Sequence, residues 1–263
     1  MLRSLHTAAT GMLAQQTQID VTSNNIANVD TVGFKKSRAE FSDLLYQVMK
    51  YAGTSTSATT LSPSGIEVGL GVRPSAVTKI FEQGSPKQTS TDNFDVAIQG
   101  QGFFQIQLPD GTTAYTRNGQ FTRDAEGNIV NADGYFLLPQ MTIPDGATFL
   151  NVAQDGTVSV VIPGETEETQ IGQIELVNFI NPAGLHALGD NLFLETGASG
   201  APVAGIAGQD GLGSIRHGFV ESSNVQLVEE MTDLITGQRA YEAGSKAITT
   251  SDEMLGIVNG LKR

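Results

Sequence analysis

Hydrophobic positions follow one rule at the two ends of this chain and another in its middle. Near the N-terminus Leu5, Met12, Ile19 and Ile26 recur every seven residues. A companion row begins at Leu2 and Ala9 and continues through the polar Gln16 and Ser23. A seven-residue repeat returns to one face of an α-helix, so the spacing predicts a helix over residues 2–28 with one apolar seam, about 40 Å long. No proline interrupts it, and Gly11 is its one glycine.

The C-terminus repeats the pattern with Leu227, Leu234, Tyr241, Ile248 and Leu255, and with Val228 and Met231 beside the first turns. Ser222, Ser223 or Asn224 is a suitable cap, and Glu229 and Glu230 sit where the helix dipole favours acids, so a second helix is expected over 224–262. Gly237 and Gly244 lie one repeat apart inside it, with Gly256 and Gly260 beyond. Each glycine costs about 1 kcal/mol of helix stability relative to alanine. A helix packed very closely against them offsets that cost. Two readings stay open at this point: amphipathic helices that cover the chain's own core, or seams used in assembly.

Between the ends the period changes to short β-branched and aromatic runs, such as those around Phe103–Leu108, Thr113–Thr116 and Ile174–Ile180. Asp110-Gly111, Asn118-Gly119, Glu126-Gly127, Asp133-Gly134 and Asp155-Gly156 punctuate them, which is the sequence signal for β-hairpins. The expected fold class is therefore α+β. Residues 1–30 and 219–263 form a coiled-coil-like helical assembly domain, 76–218 an antiparallel β-rich domain, and 31–75 an extended connecting arm. Residues 47–75 are rich in Ser, Thr and Gly. They read equally as a flexible linker or as an arm laid along a neighbour through Leu61, Ile66, Val68 and Leu70.

Composition narrows the function by exclusion. The 263 residues contain no cysteine, which excludes disulfides, thiolate nucleophiles and cysteine metal sites. A formal net charge of −13 argues against nucleic acid or an anionic lipid surface as partner. No apolar run reaches the roughly 18 residues of a membrane span, so no membrane insertion is expected. The first residues lack the apolar core and cleavage site of a secretory signal peptide. His6, His186 and His217 have no neighbours at metal-ligand spacing, and Asp124–Asn128 lacks the terminal acid of a calcium loop. Gly69-x-Gly71 and Gly100-x-Gly102 stand outside any strand–helix phosphate-binding context. No catalytic constellation, metal site or cofactor is expected, so the chain reads as a non-enzyme. A secreted β-rich hydrolase would need a catalytic cluster. A carbohydrate-binding module would need more surface aromatics than 6% of the chain and no Trp supply.

Four segments resemble the flagellar rod and hook family. The first is Ser23–Lys35, carrying Asn24, Asn25, Ile26, Asn28, Thr31, Gly33 and Phe34; the last runs from Gly218–Val225 through Thr236–Ala243. Asn93–Phe104 and Tyr115–Phe121 are similar to the same family, so the resemblance spans nearly the whole chain. The segment 54–73 looks like the one that marks distal rod subunits within it, which disfavours a proximal rod subunit. The modest β domain disfavours a hook subunit. The resemblance implies a structural subunit that polymerises helically into a drive shaft carrying motor torque to the hook. It implies export by the flagellar type III apparatus without a cleaved signal, and residence in the periplasmic basal body. The implied partners are other copies of itself, proximal rod proteins, the hook protein, the P and L rings and the export apparatus. On the residues, Asn24, Asn25, Asn28 and Thr31 suit helix-end and turn hydrogen bonds, Gly33 a tight turn and Phe34 an apolar anchor.

Overall fold

The computed structural model describes residues 2–53, 62–89, 94–144, 146–147, 149–162 and 168–260. It contains two long helices, one near each end, and a large β-rich central part. The chain divides into two units. One comprises residues 1–27, 37–78 and 226–263, the other residues 28–36 and 79–225.

In the helical unit, α1 spans Leu2–Ala27 and α2 spans Leu227–Gly260, about 50 Å long. The pair runs antiparallel, since Gly237 lies against Ile19 and Gly244 against Met12. A Cβ built on Gly244 would stand 2.8 Å from Met12 Cγ, and one on Gly237 3.2 Å from Ile19 Cγ1. The glycines that weaken an isolated helix are therefore what lets these two backbones approach. The facing rows step by three and four: Leu5, Ala8, Met12, Gln15, Ile19, Thr22 and Ile26 on α1, and Glu230, Leu234, Gly237, Tyr241, Gly244, Ile248, Ser251 and Leu255 on α2. The expected companion row is displaced by one residue. Gln16 and Ser23 face solvent, and Ala8, Gln15 and Thr22 take that place. At 3.6 residues per turn either neighbouring row satisfies the repeat, and the polar residues go outward because water solvates them.

The arm of this unit is built from strands. Ser37–Asp43 pairs with Val72–Lys79, and Tyr46–Lys50 pairs antiparallel with Ile66–Gly69. Gly71, at φ 119°, abuts Thr10 Oγ1 closely enough that a side chain there would overlap it. The Arg3 guanidinium donates to Gln47 Oε1. The described residues 37–53 and 62–75 of the arm thus group with the helices and touch α1 at these two contacts. Ile66 is exposed while Val68 and Leu70 are half-buried; Leu61 lies outside the described residues.

In the β unit every registered strand pair is antiparallel. Nine strands form one sheet in the order His186–Gly189, Leu192–Leu194, Thr113–Thr116, Phe104–Gln107, Phe136–Leu138, Ile129–Val130, Gln120–Arg123, Phe94–Gln99 and Ser214–His217. A three-stranded sheet of Phe149–Val152, Thr157–Val161 and Thr169–Gln173 shares its core, where Phe104, Ile106, Phe121, Val158, Val160 and Ile215 are almost wholly buried.

Four of the five hairpin signals make hairpins, with Gly111, Gly127, Gly134 and Gly156 at φ 82–86°. A side chain in each turn accepts amides: Asp124 and Asn131 open their turns, whereas Asp110 and Asp155 stand directly before the glycine and each take the N–H two residues on. Asp124 Oδ1, for example, takes the N–H groups of Asn128 at 2.7 Å and Glu126 at 3.1 Å. The Asn128 side chain and these amides hold the Asp124 carboxyl below the ordinary aspartate range. Asn118-Gly119 behaves differently, because its flanking strands pair with other partners. There the chain crosses between strands, and any side chain at 119 would strike the Val96 carbonyl oxygen.

Candidate assembly site

The residues expected to form the assembly seam line the contact between α1 and α2. Leu5, Met12, Ile19 and Ile26 are half-buried along α1, as are Leu234, Ile248 and Leu255 on α2. Tyr241, on the same row, keeps 42% of its surface, and Leu227 at the helix start keeps 44%. This row spends most of its apolar surface inside the chain, which leaves a different set facing solvent. Val228 is 80% exposed, and Met231 and Ile235 about half exposed, on the opening turns of α2. Met254, Ile257 and Val258 repeat that exposure near its end. Val228, Met231 and Ile235 are spaced three, four and seven apart, which places them on one face of α2.

The signature residues occupy defined positions. Asn25 is buried in the helical unit. Its side chain accepts from Ser37 N–H at 2.9 Å and donates to Ser37 O at 2.9 Å and Glu230 Oε2 at 3.0 Å. It fastens the first arm strand and the second helix to the end of α1. Asn24 is exposed, and Ile26 contributes to the seam. Thr31 donates its hydroxyl to Asn28 Oδ1 at 3.1 Å and its N–H to Asn28 O at 3.2 Å, closing the turn that follows α1.

The β unit receives the rest of the signature. Gly33 adopts φ 72°, and a side chain there would come within 2.6 Å of Asn118 N. Its N–H donates to Glu221 O at 2.8 Å. Phe34 is buried, with Lys79 Nζ 5.3 Å from its ring centre. Lys35 follows, its side chain 0% exposed, donating to Glu82 O and Glu221 Oε1, both at 2.6 Å. Glu221 also accepts from Gly84 N–H at 2.8 Å and Arg117 Nη1 at 3.3 Å. Arg117 Nη2 donates to Gly100 O at 2.8 Å, and its guanidinium stands 5.5 Å from the centre of the Phe103 ring. Burial pushes the Lys35 ammonium below the ordinary lysine value, against the pull of the Glu221 carboxylate. Lys35, Arg117 and Glu221 belong to segments quoted for the family resemblance, yet the sequence assigns none of them a role. A charge placed directly after an apolar pair, as in Phe219-Val220-Glu221, is the one local sign.

Among the described residues no group of three or more His, Asp or Glu side chains is placed to hold a metal. No described helix is long and apolar enough to cross a membrane.

Three family profiles match in chain order. That of the flagella basal body rod protein covers residues 5–35, that of the flagellar hook protein FlgE/F/G D1 domain 97–160, and that of the flagellar basal body rod FlgEFG protein C-terminal region 216–261. Over its whole length the chain is 51% identical to the flagellar basal-body rod protein FlgG of Borreliella burgdorferi, across 100% of both chains. The chain belongs to the flagellar basal-body rod protein family. The rod protein FlgG of Caulobacter vibrioides is 48% identical over 99% of this chain and 100% of its own. That of Bacillus subtilis is 42% identical across 100% of both. In this rod-family chain the first profile ends on Lys35, and the third contains Glu221 and all of α2.

Proposed function

We propose that this rod-family protein is the structural subunit of the distal rod, polymerising helically into the shaft that transmits motor torque to the hook. The carrying observation is the outward strip of Val228, Met231 and Ile235 on a helix whose inner face α1 already covers. A strip that meets a different surface on the next copy is a heterologous contact, and a heterologous contact that does not close a ring builds a helical filament. The three-and-four stepping of both helices supports a coiled-coil-like helical domain as the axial element. The role is mechanical and needs no catalysis or cofactor. Family membership supports further contacts with proximal rod proteins, the hook protein, the P and L rings and the export apparatus. It also supports a place in the periplasmic basal body, reached without a cleaved signal peptide.

Electron microscopy of the purified protein at high concentration tests this reading. Helical rods of uniform diameter are expected; particles that stay monomeric or stop at dimers would overturn it.

The strand-built arm extends the proposal. Exposed Leu45, Tyr46, Met49, Tyr51 and Ile66 offer apolar surface to adjacent subunits, each fully covered side chain contributing about 1.5–3 kcal/mol. Rods built from a chain lacking residues 54–73 are expected to bend more easily or to differ in length. Unchanged persistence length and length distribution would reduce that segment to a connector.

A further inference from the structure

The β unit holds a built cleft around residues 32–36 whose contents the assembly role does not require. Several backbone groups of this segment are engaged by its walls. Val32 O accepts from Asn191 Nδ2 at 2.9 Å, Lys36 N–H donates to Asn224 Oδ1 at 2.7 Å, and Lys36 O accepts from Ile80 N–H at 2.9 Å. The Asn224 side chain then donates to Ile80 O at 2.9 Å, so the wall carrying Ile80 and the wall carrying Asn224 are tied through the segment they enclose. At the floor lie two cations and one carboxylate, all at most 3% exposed, drawn from three distant parts of the chain.

Ion pairs taken out of water seldom stabilise a fold more than apolar residues of similar volume, whereas removing one partner leaves a buried charge uncompensated. Without Lys35, the Glu82 carbonyl loses this donor and Glu221 Oε1 keeps only the Gly84 N–H. Without Glu221, two cations face each other. Neither chain segment can therefore occupy its place alone at low cost.

We propose that this cleft is a lysine-reading site for an extended Gly-Phe-Lys segment, here Gly33–Lys35. It acts as a two-input latch that shuts only when residues 32–36 and 219–224 are both seated. The site selects lysine over arginine. The ammonium is 2.6 Å from two oxygens with no exposed surface, and Arg117 already holds the other carboxylate oxygen, so a planar guanidinium has no room to fork. This inference stands whether or not the protein forms rods, because it concerns closure of the β unit in a single chain.

Hydrogen exchange on the full-length monomer tests it, using Lys35→Met, Glu221→Gln, the two combined, and Lys35→Arg. Glu221→Gln leaves two buried cations without a carboxylate and is expected to speed exchange about a hundredfold in 32–36, 80–84 and 219–224 together, the scale set by an uncompensated buried charge. Lys35→Met leaves Glu221 paired with Arg117 and is expected to speed the same three segments together about tenfold, the scale of a lost hydrogen bond to a charged group. Hairpins from Phe104 to Leu138 should stay within about threefold of the parent. The double variant should be no faster than Glu221→Gln alone, and Lys35→Arg should open the cleft like Lys35→Met despite keeping its charge. Loosening confined to residues 32–36, additive effects, or parental exchange in Lys35→Arg would each overturn the latch. Loss of protection throughout Phe104–Leu138 would overturn it as well, since the cluster would then be ordinary core.

Discussion

Gly244→Leu is expected to force the two terminal helices apart and to abolish rod formation. Even the first carbon of a side chain at 244 meets Met12 Cγ at 2.8 Å, and leucine adds three more. Overpacking of this kind costs about 1–3 kcal/mol, against at most about 1 kcal/mol returned by the better helix propensity of leucine. Gly256 is the internal control: it lies in the same helix, and nothing stands within 4 Å of where its side chain would be. Gly256→Ala should therefore stabilise α2 by up to about 1 kcal/mol. Thermal melting followed by far-ultraviolet circular dichroism separates the two. Gly244→Leu should lose helical signal at lower temperature than the parent, and Gly256→Ala at equal or higher temperature. Equal behaviour of the two variants would mean that the close approach at Gly244 contributes nothing.

Val228→Asp combined with Ile235→Asp is expected to eliminate polymerisation while leaving the monomer folded. Both side chains point away from α1 and keep at least half their surface or close to it, so the monomer tolerates charge there. In a rod the same positions would be covered, and an unpaired buried carboxylate costs about 3–5 kcal/mol, or at least a hundredfold in association per contact. The contrast with Leu234 and Ile248 is informative. Those two face α1, so aspartates there should damage the monomer itself. Circular dichroism establishes the fold and electron microscopy scores rods. Rods from the Val228/Ile235 variant would move the interface elsewhere on the molecule.

Much of the fold is legible in the residues. Helix ends at 27 and 227 fall within a few positions of the predicted 28 and 224, because seven-residue apolar spacing has only one regular solution. The hairpins at Gly111, Gly127, Gly134 and Gly156 follow from turn chemistry that acts over four residues. The division of the chain differs from the expected one. Residues 37–78 group with the helices, and 28–36 with 219–225 group with the β strands. Composition leaves 47–75 open between a linker and an arm, because strand pairing and the contact of Gly71 with Thr10 depend on partners far away in sequence.

Local periodicity therefore determined that this protein has two long helices and a hairpin-rich middle, and four short segments determined its family. Tertiary structure alone decided which face of α2 stays free. The seven-residue repeat specifies an apolar strip but not what covers it, and the strip marked by Leu234 and Ile248 is covered by α1. It also decided the meeting of Lys35, Arg117 and Glu221. Each is an unremarkable charge in its own segment, and only when the chain brings three distant segments into one water-free space do their charges depend on one another.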